Sequence, residues 1–356
     1  MQAVPTVNTY EKKPLPDPRK YDLIPPDMDY VYFENGETFP LETDNTEYSP
    51  ANAWWFGECS FLTYCHPGFV RMAYRLAGFE GFRFFHGKGT ECMVGWNDTA
   101  VIVSFRGTEL KSRSAVHEIR TDMNTVPVAF EGGGMVHQGF LNGLDEVWEG
   151  PDGLQVFLDE ITEEDPSRPL WITGHSLGGA LATLCFARTP QARGLYVYGA
   201  PRVGDQDFVA IIQGRPVWRL EHARDPVPMV PPDLPAIKFN FKDPGVLVYI
   251  SKDGRIRAER PVFSLDDQKT RFLLVRKSQV ARREEIRKSI VRKSFNVEAA
   301  KTAIAKINEH FQLSRAEWKN HVDELSDYVG LKVDDHQPII YAVKLWNALV
   351  SADRSG

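Results

Sequence analysis

The sequence predicts an α/β fold with a mainly parallel central sheet flanked by helices. Three observations predict it. Apolar β-type runs alternate with helical patterns between about residues 99 and 221, the order in which crossover helices link parallel strands. Residues 170–173, Leu-Trp-Ile-Thr, run into Gly174-His175-Ser176-Leu177-Gly178, a G-x-S-x-G turn of the kind that joins a strand to a helix. Beyond Ser176, the residues Leu177, Ala180, Leu181, Leu184 and Cys185 recur at three- and four-residue spacing, which is helical.

Taken in order, residues 1–48 form an arm rich in proline (Pro14, Pro16, Pro18, Pro25, Pro26, Pro40), with Tyr21, Tyr30, Tyr32 and Phe33 to pin it. Residues 51–64 are apolar enough for a buried helix, which Cys59 and Cys65 would share. Two strands fit 81–96 around Gly87-Lys88-Gly89. The β-branched run at 99–105 is the clearest strand. Residues 109–122 are mostly polar, and Gly132-Gly133-Gly134 is a flexible break. A helix opens at Val136-His137-Gln138-Gly139-Phe140 and runs through Trp148, and another covers 153–162. Strands at 195–198 and 217–221 lead into Gly199-Ala200-Pro201-Arg202 and His222-Ala223-Arg224-Asp225. Residues 239–250 and 254–263 read as a hairpin turning at Lys252-Asp253-Gly254. Helical patterns follow, one with Ala300, Ile304, Ile307 and Phe311, one with Trp318, Val322, Leu325 and Val329, and a last at 339–350. The organisation expected is an arm (1–48), a core (49–265), a basic and helical insertion (266–330), and a C-terminal segment (331–356) that completes the core.

Composition sets bounds. Of 356 residues, 42% are apolar and 25% charged, as in ordinary globular proteins. The first residues lack the apolar core of a secretory signal, and no run of about 18 apolar residues occurs. The expectation is a cytoplasmic protein, with a membrane-peripheral one kept beside it. The cysteines (Cys59, Cys65, Cys92, Cys185) match neither a zinc-site nor a disulfide spacing, so buried free thiols are expected. Net charge is −6, but residues 268–294 hold ten Lys or Arg against two Glu. There Phe272, Val275, Val280, Ile286 and Ile290 share one side of a helix with Arg276, Gln279, Arg283 and Arg287. Two readings stay open: a cap or lid drawn to an anionic lipid surface, or a solvated helix packed on the acidic remainder. Nucleic acid is not expected as a partner, because no recognition motif accompanies the basic run.

The chemistry centres on Ser176. A serine hydroxyl needs a base, usually histidine, and an acid to orient it. The other use of such a serine is to cap the helix. Asp225 follows a strand in a loop closed by Pro226 and Pro228, where it is either the acid, a turn cap, or a partner of Arg224. His310, His321 and His336 lie beyond it. The first two sit in helical patterns. His336 lies in a loop just before Pro338 and is favoured as the base, with His321 second. An oxyanion needs donors. The Leu177 N–H is one, and Thr108, after the strongest strand, offers another.

TGHSLGGA, SFRGTE, VHQGF, YGAPRVGD, DPVPMVPP and DHQPIIY together resemble the motif series of the class 3, fungal-type triacylglycerol lipases of the α/β-hydrolase superfamily, over roughly 50–250 and 330–350. The resemblance implies an α/β-hydrolase fold, a triad of Ser176, Asp225 and His336, and oxyanion donors at Thr108 and Leu177. Arg202 and Gly204 match a structural loop beside the elbow, and His137 matches a family histidine outside the triad. Two departures stand out. The usual lid position, 109–122, offers only Leu110, Val116 and Ile119 as apolar residues, and the interval from Asp225 to His336 is longer than the family pattern.

The expected activity is that of a serine carboxylic-ester hydrolase, a lipase or esterase on acylglycerols or similar fatty-acid esters, working through an acyl-enzyme without metal or organic cofactor. The alternatives are an acyltransferase, in which an alcohol replaces water, and a non-catalytic lipase-like scaffold.

Overall fold

The computed structural model describes residues 10–15, 30–108, 127–230, 233–234, 239–260 and 333–353. Five strands run parallel through the middle of one eight-stranded sheet: β3 (Val101–Phe105), β6 (Leu170–His175), β7 (Gly194–Tyr198), β8 (Val217–His222) and β11 (Val246–Ile250). Antiparallel strands β1 (Gly81–His86) and β2 (Glu91–Trp96) extend one edge, and β12 (Ile256–Arg257) the other. Strand alternation sorts the side chains onto two faces. Val101, Val103 and Ile172 face α3 (Gln138–Trp148), α4 (Leu154–Glu164) and α5 (Leu177–Arg188). Ile102, Trp171, Tyr196 and Tyr198 face α1 (Pro50–Leu62) and α7 (Pro338–Asp353). A parallel sheet covered on both faces explains why these strands read as continuous apolar runs.

Helix α1 starts where Ser49 accepts the N–H of Asn52 at 3.2 Å, with Pro50 in the first turn. Every residue of it after Pro50 is buried, because the sheet lies on one side and α7 on the other. Trp54 meets Trp346 of α7 with ring centroids 5.2 Å apart. The arm is stitched over this pair. The Lys13 N–H donates to Asn347 Oδ1 at 2.8 Å, and Asn347 Nδ2 donates to the Lys13 carbonyl at 2.9 Å. Phe33 stacks on Trp55 at 4.9 Å. The buried Glu58 carboxylate accepts from Tyr30 and from Trp54 Nε1; burial pushes its pKa up, against the pull of nearby Lys13.

Four expectations change. Cys65 is not on α1, which ends at Leu62; Pro67 forces His66 into extended backbone (φ −60°, ψ 135°). A second helix, α2 (Pro67–Leu76), then starts, although the sequence reading had no helix there. The glycine break at 132–134 turns a ribbon of β4 (Pro127–Ala129) with β5 (Met135–His137). In the expected hairpin only 246–250 and 256–257 pair in the main sheet, while β10 (Phe239–Asn240) pairs with β9 (Asp233–Leu234). The helix α6 (Gln206–Ile211) follows the Arg202–Gly204 loop. All four cysteines are buried and free. Among the described residues no helix is long and apolar enough to cross a membrane, and no cluster of three metal-ligating side chains occurs. Tyr21, residues 109–126, His310, His321 and the basic run 268–294 lie outside the described residues.

His137 caps α3. Its Nδ1 accepts the N–H groups of Gly139 at 3.1 Å and Phe140 at 3.4 Å, and its ring stacks on Phe140. The side chain is 2% exposed, and burial lowers its pKa from 6.5 to about 4. The unfolded chain therefore takes up this proton first as pH falls. The stabilisation is complete above pH 6.5 and is lost on descent towards about 4. His137→Asn keeps a capping oxygen but removes the proton site. Its acid destabilisation over that window should be smaller than that of the parent by about 3 kcal/mol, read from urea unfolding at neutral pH and near pH 4. Identical pH slopes for the two proteins would contradict this account.

Candidate active site

Three parallel strands end side by side, and each is followed at once by a residue with positive φ: Ser176 (58°) after β6, Gly199 (53°) after β7 and Ala223 (43°) after β8. The chain thus turns sharply at the carboxyl edge of the sheet, where such folds gather their functional groups. At Ser176, with ψ −130°, the conformation is a strained one for an L-residue. A Cβ on Gly178 would stand 2.2 Å from the Phe105 carbonyl oxygen, so only glycine lets α5 approach β3 this closely. The Ser176 hydroxyl makes no capping bond to α5. It lies 2.8 Å from His336 Nε2 instead, which disposes of the capping reading.

His336 ends a short 3₁₀ turn, Val333–His336, immediately before α7. Its Nδ1 is 2.8 Å from Asp225 Oδ2. The carboxylate can only accept, so Nδ1 carries the proton and Nε2 presents its lone pair to the serine. Asp225 is held by two further donors, the Val227 N–H to Oδ1 at 2.9 Å and the Tyr341 hydroxyl to Oδ2 at 2.7 Å. Ser176, Asp225 and His336 are 1%, 4% and 0% exposed, so this line is dry and its electrostatics are strong.

Of the five residues singled out from the sequence, the structure joins these three directly. Leu177 is the first residue of α5, where the backbone N–H has no partner within the helix. Thr108 is exposed, two residues from Arg106 in the loop after β3. That loop lies against the elbow: a Cβ on Gly107 would come 3.1 Å from Ser176 Cβ and 2.6 Å from the His175 carbonyl oxygen. Arg202 binds Asp243 at 2.9 Å and the Met229 carbonyl at 3.2 Å, which ties the loop after β7 to the chain after Asp225.

Sequence reasoning gave no role to four residues that the site uses. Tyr341 holds the acid; its signal was a hydroxyl within the apolar stretch that starts α7. His175 Nε2 is 2.7 Å from the His336 carbonyl, and its Nδ1 is 2.8 Å from the Tyr64 hydroxyl. A carbonyl accepts, so Nε2–H donates and Tyr64 donates to Nδ1. Burial, with His336 adding to it, depresses the His175 pKa well below 6.5, which keeps this ring neutral. His222 Nδ1 lies 3.0 Å from the Asp335 carbonyl.

A strained strand-to-helix elbow carrying a buried serine–histidine–aspartate line, at the carboxyl edge of a parallel sheet, defines an α/β hydrolase. Residues 102–234 match the family model "Lipase (class 3)". Among relatives, a lipase of Rhizopus niveus is 35% identical over 161 residues, covering 42% of this chain and 38% of that protein. The secreted mono- and diacylglycerol lipase 1 of Fusarium solani is 32% identical over 137 residues, covering 37% and 39%. The chain thus spans about two fifths of the length of the curated relatives it matches. A solved Rhizomucor miehei triacylglyceride lipase is 27% identical, with a TM-score of 0.47 over 58% of this chain and 81% of that one.

Gly199 packs flat against the acid–base pair. A Cβ there would stand 2.5 Å from Asp225 Oδ2 and 2.9 Å from His336 Nδ1, at a φ that alanine adopts with strain. Gly199→Ala should slow labelling of Ser176 by a fluorophosphonate by about 10²-fold while the protein stays folded by circular dichroism. Labelling at the parental rate would show that the pair tolerates displacement.

Proposed function

We propose that this protein is a serine carboxylic-ester hydrolase that acts on acylglycerols or similar fatty-acid esters through an acyl-enzyme. The observation that carries the reading is the line from Asp225 through His336 to the Ser176 hydroxyl, with both bonds at 2.8 Å. His336 Nε2 takes the hydroxyl proton as Ser176 Oγ attacks the ester carbonyl carbon. The tetrahedral oxyanion takes hydrogen bonds from the Leu177 N–H and from Thr108. On collapse the C–O bond to the alcohol breaks, and His336 returns its proton to the departing oxygen. Water then attacks the acyl-enzyme with His336 again as base, and the fatty acid leaves. Asp225 stays ionised and holds the imidazole in the tautomer this requires. No step calls for a metal or organic cofactor.

The lipid class rests on the family segment and on relatives named as lipases and as mono- and diacylglycerol lipases. The basic run at 268–294 is proposed as the contact with an anionic lipid surface, on its charge alone.

The test is fatty-acid release from p-nitrophenyl butyrate and from emulsified triolein, for the parent and Ser176→Ala in parallel. The parent should turn over at least one, and the variant should lose about 10⁴-fold or more. Adding an alcohol distinguishes hydrolysis from acyl transfer by the product formed. A parent that cleaves neither substrate, or an unimpaired variant, would overturn the hydrolase reading.

A further inference from the structure

The bond between His336 and Ser176 requires that the backbone of residues 335–336 be fixed, since the imidazole hangs from a short turn and not from a helix or strand. Two buried rings do this from opposite sides. His175 donates from Nε2 to the His336 carbonyl at 2.7 Å, and His222 donates from Nδ1 to the Asp335 carbonyl at 3.0 Å. These are consecutive carbonyls, one on each side of the His336 backbone N–H and Cα. His175 and His222 sit at the last positions of β6 and β8, so both donors spring from rigid elements.

His222 is the less expected of the two, because it lies outside the Gly-x-Ser-x-Gly turn. It is 3% exposed. Its other nitrogen, Nε2, is buried without a hydrogen-bond partner among the described residues. A buried acceptor left empty is costly, and the ring's polar use here is the Nδ1–H. The same residue engages the acid: the His222 backbone N–H donates to the Tyr341 hydroxyl at 3.0 Å, and that hydroxyl donates to Asp225. Asp335 is further pinned by the Arg224 N–H on Oδ2 at 3.2 Å.

We propose that His222 is a positioning residue for this reaction, whose Nδ1–H holds the Asp335 carbonyl and thereby aims the His336 imidazole at Ser176. The proposal rests on the hydrolase reading for its kinetic consequence but not for its geometry. The side chain of asparagine places an N–H near the Nδ1 position of histidine, whereas glutamine reaches towards Nε2. His222→Asn should therefore keep kcat on p-nitrophenyl butyrate within about threefold. His222→Gln and His222→Leu should lower kcat by about 10- to 100-fold with KM changed by less than about threefold. Circular dichroism and Tm identify any variant that fails to fold, and the Asn and Gln pair, both polar amides, remains comparable if Leu does fail.

A second readout needs no turnover. The proton on His336 Nδ1, shared with Asp225, should give a far-downfield 1H NMR line in the parent and in His222→Asn, weakened or absent in His222→Gln and His222→Leu. If the parent cleaves no ester, the hydrolase reading falls and this line still decides the proposal. A folded His222→Leu or His222→Gln with parental kcat or an unchanged line would overturn it. So would a folded His222→Asn that loses as much as Leu.

Discussion

The His336 imidazole reaches Ser176 and Asp225 from 160 and 111 residues away along the chain. Closing an interval of about 110 residues costs about 4 kcal/mol in chain entropy beyond the constant part. The two hydrogen bonds that result contribute about 1 kcal/mol each in net terms. They cannot hold themselves together. Burial of α7 holds them: Tyr341, Leu345, Trp346 and Val350 are each 1% exposed, and each fully buried apolar side chain of this size contributes about 1.5–3 kcal/mol. The site is therefore a consequence of the packing of α7 against α1, and the arm residues bonded to Asn347 and Trp346 belong to the same support.

Packing brings the turn to the sheet edge, and polar contacts set the orientation. Every heteroatom of the Asp225 carboxylate has a donor. In a dry site an unmatched carboxylate oxygen would compete for the His336 proton or rotate away. The neighbouring imidazole of His175 has the opposite requirement. It lies tilted beside His336 at a centroid distance of 4.6 Å, and a second positive ring there would oppose the imidazolium of the proposed reaction. Burial keeps it neutral, and its tautomer is fixed by the Tyr64 hydroxyl on one side and the His336 carbonyl on the other.

The sheet and the elbow were legible because their signals are local. Residues 101–105 and 170–175 are apolar runs, and Gly178 follows the serine at the spacing the turn requires. Asp225 was favoured from the sequence for its loop after a strand, and His336 for its loop before Pro338, each with alternatives left open. Helix α2 was not legible: it is ten residues long and buries only Val70, Ala73 and Tyr74, too short a run for helical spacing to stand out from its surroundings. The supports of the site were not legible either. Tyr341, Tyr64, His175 and His222 act through hydrogen bonds across 111 to 161 residues, and no spacing in one sequence encodes such a pairing.

The positive φ at the ends of β6, β7 and β8 bears on how the edge is built. Adjacent parallel strands in register, with His175 opposite Tyr198 and Tyr198 opposite Leu220, would by themselves send three chains onward in the same direction. A left-handed residue at each end breaks that course and turns the nucleophile, the flat Gly199 backbone and the Asp225 loop into one layer. Only the middle position uses glycine. At Ser176 and Ala223 an L-residue bears a cost of about 1–3 kcal/mol each, and such strain persists only where the surroundings over-determine it. They do so here. The Ser176 N–H is held by the Tyr198 carbonyl at 2.9 Å, and the Ala223 N–H by the Ile250 carbonyl at 2.8 Å, while Tyr249 donates to the Ala223 carbonyl. Each strained residue thus takes its bond from the neighbouring strand, so the sheet itself carries the strain that places serine and acid on a common edge.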